Sequence, residues 1–350
     1  MTPKQLALIQ EDIAEFSSLI EGHKLAGKHL LITGANGYLA SYMADTVVWL
    51  NDHVLSNPCH LVLLVRSPLT ADSRLGHLQD RADVTVLEQD VREPLAYDWP
   101  LDFIIHAASP ASPRKYLQDP LGTLDANISG TQQLLEYAHR HGVESFLYFS
   151  SSEIYGEIPA SVEQIPETFF GSVDSLAPRA CYTESKRVGE TLCMVYFRQF
   201  GLPVKIVRPF HVYGCGQLLD DGRVVADFLR HRLTNEPIRL FSDGTGIRSF
   251  TYIADAVMGY WQLLLSDANG EAFNIGEDQE IITIRALAER IAALESPQLE
   301  CHFQPGSAQH VIGAPSRSVP NVEKARQWLG YQPRYSLEAG LKRTLEWYRS

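Results

Sequence analysis

The stretch His29–Leu50, HLLITGANGYLASYMADTVVWL, decides the fold. HLLIT (29–33) is a short apolar run without polar alternation, as expected of a strand buried on both faces of a parallel sheet. It runs directly into Gly34, Gly37 and Ala40, spaced G-x-x-G-x-x-A, and then into a helix predicted over 37–50. The glycines let the chain turn tightly and let backbone approach a pyrophosphate. The helix start behind them offers free N–H groups and the positive end of its dipole. Glycine turns before helices are common. Directly after a first strand, this one reads as a dinucleotide-binding fingerprint.

Outward from this stretch the same grammar repeats. HLVLLV (60–65), VTVLEQ (84–89), FIIHAA (103–108), SFLYFSS (145–151) and VKIVRP (204–209) are short and rich in β-branched and aromatic residues. Helices are predicted between them at 120–141 and 181–200. Strand and helix in alternation imply an α/β, doubly wound parallel sheet of the Rossmann kind. After about residue 210 turn signals cluster in YGCGQ, DDGR and SDGTG, with helices predicted at 222–234, 253–266, 284–294 and 321–330. The expected organisation is an N-terminal helical extension over 1–27, a dinucleotide-binding domain over 28–209 and 241–269, and a smaller substrate-binding C-terminal lobe over 210–240 and 270–350.

At 350 residues the chain suits two domains, or one domain with a lobe. Its net charge of −12 argues against nucleic acid or an acidic membrane surface as the main partner. No apolar run approaches the ~20 residues needed to span a bilayer. The first residues mix acids with apolar positions (Leu6, Ile9, Ile13, Phe16, Ile20), which suits an amphipathic helix and not a signal peptide. The five cysteines are irregularly spaced, form no C-x-x-C pair and suggest reduced thiols in a cytoplasmic protein. No metal-ligand cluster is evident.

The adenosine end of the dinucleotide site is ambiguous. NAD sites usually place an acid after the second strand and NADP sites an arginine nearby. That position is Arg66, with Arg74 further along. Arg66 either takes a 2′-phosphate, making NADP possible, or stacks over adenine. Asp90, after the third strand, suits the adenine amino group. Ala107 and Ala108 are small enough to let a cofactor cross the fourth.

YTESK places Tyr182 and Lys186 four residues apart, on one face of a predicted helix. An ammonium beside a phenol is expected to lower the phenol's pKa and make a base usable near neutral pH. The strand SFLYFSSSEIYG ends in Ser150, Ser151 and Ser152, followed by Glu153. A hydroxyl there suits the substrate oxygen that Tyr182 deprotonates, although such serines also cap strand-end turns.

Here the residues resemble a known family, the extended short-chain dehydrogenase/reductases that act on nucleotide sugars. The likeness covers about 28 to 347 and is strongest to the UDP-glucuronate decarboxylases (UDP-xylose synthases). It is carried by HAASPASPRKYLQDPLGTLDANISGT, SSSEIYG, APRACYTESKRVGE, LDDGRVVADF, SDGTGIRSFTYIADAV and PNVEKARQWLGYQPRYSLEAGLKRTLEWY. The resemblance implies Tyr182 as base, Lys186 as its partner at the nicotinamide ribose, and Ser151 as the hydroxyl holding the sugar's 4-hydroxyl. Glu153 falls where decarboxylases and 4,6-dehydratases keep a glutamate. Ser152 falls where dehydratases commonly have aspartate and decarboxylases serine. The resemblance also puts Asn36, Tyr38, Leu39, Val91, Ser109, Asn127, Ser150, Pro209 and His211 beside the cofactor. It puts Pro110, Arg179, His211, Arg223, Phe241 and Arg248 beside the substrate, with Arg248 near its diphosphate or sugar carboxylate and Phe241 on the nucleobase.

One departure falls in RPFHVYGCG, where His211 replaces the family's asparagine, a residue that commonly bonds the substrate diphosphate. A histidine either donates the same bond or loses it. The resemblance implies a UDP-linked nucleotide sugar as substrate, NAD as cofactor, oxidation at C4 followed by decarboxylation, and a homodimer built on the helices at 120–141 and 181–200. Leu134, Leu135, Leu192, Val195 and Tyr196 are candidate interface residues there. A 4-epimerase, a 4,6-dehydratase and a non-catalytic NAD(P)H sensor are the competing readings.

Overall fold

The computed structural model describes residues 1–97, 99–303 and 315–350. Six strands fall where the apolar runs predicted them: β1 (His29–Thr33), β2 (His60–Val65), β3 (Val84–Glu88), β4 (Phe103–His106), β5 (Ser145–Phe149) and β6 (Val204–Pro209). A seventh, Glu271–Ile275, pairs parallel with β6 and lies in a stretch assigned above to the smaller lobe. The sheet order is seventh–β6–β5–β4–β1–β2–β3, every pairing parallel. The order reverses between β1 and β4, and a crevice forms there outside the carboxyl ends of the strands.

The strands lack polar alternation because both faces are covered. Leu30 and Ile32 of β1 enter one core and Leu31 the other, all three fully buried. Each such side chain contributes roughly 1.5–3 kcal/mol. Helices α1 (Pro3–Phe16) and α2 (Tyr38–His53) cover the first face with Ile253–Leu264. Helices α3 (Pro113–Gln118), α4 (Pro120–His141) and α5 (Ala180–Phe200) follow β4 and β5, with α4 and α5 covering the second face. Leu134 and Leu135, named above as interface candidates, are buried in this core and so face their own sheet. Leu192 and Tyr196 are half-buried there, and Val195 stands 46% exposed.

The N-terminal helix is bound in, and not a loose appendage. Asp12 is 0% exposed on α1 and accepts hydrogen bonds from Tyr42 (2.7 Å) of α2, Tyr252 (2.7 Å) and Tyr335 (3.2 Å), with an ion pair to Arg343. These partners come from four separate places in the chain. After β6 the remaining strands are short and gather into three small sheets. Among the described residues, no helix is long and apolar enough to cross a membrane. The five cysteines are all free.

Candidate active site

The glycine turn is shaped by close approach. Gly34 has φ +62°, and a Cβ there would stand 2.7 Å from the Cα of Ala108. Turn and β4 end therefore touch, which brings Ala107 and Ala108 beside the loop. Gly37 begins α2 with no side-chain cap, and a Cβ there would meet the Gly34 carbonyl at 2.9 Å. Tyr38 and Leu39 open the helix, whose first N–H groups are thus presented to the crevice for an anion.

Several buried polar atoms at this end of the sheet have no protein partner. Among the described residues these include Asn36 Oδ1, Tyr38 OH, Ser109 Oγ, Asn127 Oδ1 and Ser150 Oγ. All five belong to residues that the resemblance puts beside the cofactor, after β1, at the start of α2, after β4 and β5, and on α4. Buried groups of this kind normally find a partner, and a dinucleotide supplies hydroxyls and phosphates along this line. The residues present fit the group. Val91 is buried against Gly130 of α4. Asp90 is held by Arg92 at 2.9 and 2.8 Å, which with Arg66's charge draws its carboxyl down. Arg66 is exposed, with no ion pair among the described residues. Arg74 is spent on the carbonyls of Asn36 (3.1 Å) and Gly216 (2.9 Å), so it fixes the glycine loop.

Tyr182 and Lys186 sit one turn apart on α5, 4% and 3% exposed. The lysine ammonium donates to the Phe149 carbonyl at 2.7 Å, and burial lowers its pKa to about 7. The expectation that Lys186 draws the phenol down is not met in the chain itself. Burial raises Tyr182 to about 12 and Glu153 adds to the rise, against a hydrogen bond with Ser151 and the charge of Arg223. Lys186 Nζ stands 5.9 Å from the centre of the Tyr182 ring, and burial is the largest influence on the phenol. Ser151 also caps the turn Ser152–Tyr155 by accepting from the Glu153 N–H at 3.1 Å. The same serine therefore caps the turn and hydrogen-bonds Tyr182.

Glu153 is the hub of this end. Arg179 pairs with it at 3.0 Å, and the Tyr116 hydroxyl donates to its two oxygens at 3.3 and 3.5 Å. Tyr116 was missed by sequence reasoning, although it lies in the quoted SPRKYLQDP segment. A second missed group is a buried hydrogen-bonded chain. Thr33 meets His106 (2.9 Å), His106 meets Thr131 (3.0 Å), Asn127 donates to Ser185 (2.8 Å), and Ser185 to the Tyr182 carbonyl (2.9 Å). Thr131 closes it by donating to the Asn127 carbonyl at 2.6 Å. Burial holds His106 neutral at about 3, so the chain ties β1 to the tyrosine without adding charge.

The other predicted substrate residues form a basic wall. Arg248, 9% exposed, donates to the carbonyls of Ile247 (2.8 Å) and Pro315 (2.6 Å) and has no carboxylate partner among the described residues. Burial, then the nearby charge of Arg179, lowers its pKa to about 10. His211 follows Pro209 and Phe210 with φ 33°, a strained value for a side chain that carries a Cβ. Its Nε2 is buried without a partner, and burial with Arg248 and Arg223 brings it to about 3. Arg223 pairs with Asp221 at 3.1 Å and donates to the Ala111 carbonyl at 3.3 Å, one residue past Pro110. Phe241 is 38% exposed beyond the short strand Ile238–Leu240.

A glycine-turned Rossmann crevice leading to a buried tyrosine and lysine beside a half-buried serine defines a dinucleotide-dependent enzyme that oxidises an alcohol. The comparisons agree. The chain matches the NAD dependent epimerase/dehydratase family over residues 30–276, and it belongs to that family. It is 34% identical to UDP-glucuronic acid decarboxylase 1 of Arabidopsis thaliana over 322 residues, 92% of this chain and 70% of the relative. The identity to the Danio rerio protein of the same name is also 34%, covering 92% and 72%. Among solved structures, UDP-glucuronic acid 4-epimerase from Bacillus cereus, in complex with UDP-glucuronic acid and NAD, aligns with TM-score 0.76 and 27% identity. That alignment covers 92% of this chain and 99% of the other.

Proposed function

We propose that this chain is a UDP-glucuronate decarboxylase that uses NAD. The observation that carries this reading is Arg248, a buried cation with no acid partner among the described residues, facing Arg179 beside Glu153 and Tyr182. A buried unpaired charge is costly, and a sugar carboxylate at C6 would be its counter-ion. The glycine turn, Asn36, Asn127 and Ser150 would hold the cofactor, with Lys186 at its nicotinamide ribose. The chemistry the bound group would supply is uptake of hydride from C4, and its return where the product is the UDP-pentose.

Tyr182 takes the proton of the 4-hydroxyl as its phenolate, a form that the positive charge of a bound oxidised nicotinamide, with Lys186, would favour against the burial that raises it. The product ketone is β to the carboxylate, so the C5–C6 bond breaks and its electron pair passes into the C4 oxygen. Ser151 and the protonated Tyr182 hold that oxyanion. Carbon dioxide leaves, C5 takes a proton in its place with Glu153 managing it, and the result is a UDP-pentose or its 4-keto form. Ser152 supplies no acid able to protonate a departing hydroxyl, which weighs against a dehydratase. Epimerisation at C4 of the same uronate is the second reading, favoured by the likeness to the Bacillus cereus enzyme. Incubation with UDP-glucuronate and NAD is expected to release CO₂. A product of unchanged mass would favour the epimerase, and neither result across a panel of nucleotide sugars would overturn the reading.

We also propose a homodimer through α4 and α5, on which Leu121, Val188, Val195 and Phe200 are exposed. A monomeric mass at micromolar concentration would contradict it. The free thiols support a cytoplasmic setting.

A further inference from the structure

Tyr116 holds two parts of the site at once. It lies on the six-residue helix α3 and is 0% exposed. Its ring is stacked on Tyr182 with centroids 4.9 Å apart and planes 10° from parallel. Its hydroxyl reaches both oxygens of Glu153 at 3.3 and 3.5 Å. The guanidinium of Arg179 pairs with the same carboxylate at 3.0 Å and lies 5.9 Å from the Tyr116 ring centre.

We propose that Tyr116 is a positioning residue that sets the plane of Tyr182 through its ring and the place of Glu153 through its hydroxyl. It thereby couples the group that takes the first proton to the group that manages the second. The assignment of the second proton to Glu153 rests on the decarboxylase reading above. The coupling to Tyr182 does not, since every reaction considered begins with oxidation at that tyrosine.

Packing alone does not call for the hydroxyl. A phenylalanine would fill the same space and keep the stack, and the oxygen's only acceptor among the described residues is the carboxylate of Glu153. Burial raises the Tyr116 phenol, so it stays a donor throughout the physiological range. The helix that carries it is itself fixed. Its last flanking residue, Asp119, caps α4 by accepting from the Gly122 N–H at 2.9 Å, so α3 and α4 are joined without slack. The charge of Glu153 raises the Tyr182 phenol. A donor placed on that carboxylate tempers its effect on the base, and removing the donor leaves more of the charge facing Tyr182.

The test uses Tyr116→Phe, Glu153→Gln and the double variant in the full chain. The substrate is whichever nucleotide sugar the wild type oxidises, with UDP-glucuronate first. Reduced cofactor is followed by absorbance, CO₂ by capture, and folding by thermal midpoint. Tyr116→Phe is expected to keep its midpoint, slow turnover about tenfold, the loss expected for one hydrogen bond to a charged group, and move the acid limb of the oxidation step to higher pH. The double variant is expected to be no slower than Glu153→Gln alone, because the hydroxyl acts through that carboxylate. An unmoved acid limb, or losses that simply add, would overturn the proposal and leave Tyr116 as packing. Absence of CO₂ from the wild type would instead sink the decarboxylase reading, while the acid limb still tests the coupling.

Discussion

Tyr182→Phe is expected to abolish turnover while leaving dinucleotide binding nearly intact. The expected loss is about 10²–10⁴-fold, the usual contribution of a positioned acid–base group. The substitution removes one oxygen and little else. The ring would keep its stack on Tyr116, 10° from parallel. Lys186 would keep its place, since its ammonium donates to the Phe149 carbonyl and not to the phenol. Ser185 would still donate to the backbone carbonyl of residue 182. Each support of the cofactor side is thus independent of the deleted hydroxyl. Turnover is to be compared with the affinity for NADH, read by fluorescence. Near-normal turnover would show that another group takes the 4-hydroxyl proton, and Ser151 would be the first to examine. A parallel loss of affinity would show that the phenol also organises the cofactor.

What was legible in the sequence followed from local periodicity. Tyr182 and Lys186 were found because four residues span about one helical turn. Strands β1 to β6 were found because each is a short run rich in β-branched, aromatic and other apolar residues between turn or helix signals. The seventh strand, EAFNI, was missed because it carries Glu271 and Asn274. Asn274 is buried, and its side chain accepts from Tyr155 at 2.7 Å and donates to the Ile165 carbonyl at 2.8 Å. A polar residue satisfied by partners over a hundred positions away looks like a loop residue in the sequence. Tyr116 was missed for the same reason, since its partners lie 37 and 66 positions further on, at Glu153 and Tyr182. Asp12 reads as the polar face of an amphipathic helix, yet it is the most enclosed charge of α1. Burial raises the Tyr182 phenol in the chain itself, and burial is a tertiary quantity that the motif does not show. A charge pair four residues apart can be read from a motif; the desolvation around it cannot.

Arg248→Met is expected to separate carboxylate recognition from diphosphate recognition, the two roles open to this arginine. Methionine keeps the length and apolar stem and removes the charge. If Arg248 faces the C6 carboxylate, affinity for UDP-glucuronate should fall about tenfold to a hundredfold, the range for a lost charge-assisted hydrogen bond. Affinity for UDP-glucose, which carries the same diphosphate and no carboxylate, should barely change. Equal losses for both ligands would place Arg248 at the diphosphate and remove the main support for a uronate substrate. Loss of neither would mean that its bonds to the carbonyls of Ile247 and Pro315 are its whole purpose, and the thermal midpoint should then fall. The electrostatics call for an anion at Arg248, and the pair of ligands decides which one it is. Arg179, the next cation toward Tyr182, already has a carboxylate in Glu153 at 3.0 Å. Arg223 has one in Asp221 at 3.1 Å. Arg248 alone of the three has none among the described residues, and burial with the charge of Arg179 has lowered its pKa to about 10. A cation destabilised in this way is eased by an anion brought close to it, and UDP-glucuronate against UDP-glucose separates the two anions on offer, because only the first carries a carboxylate.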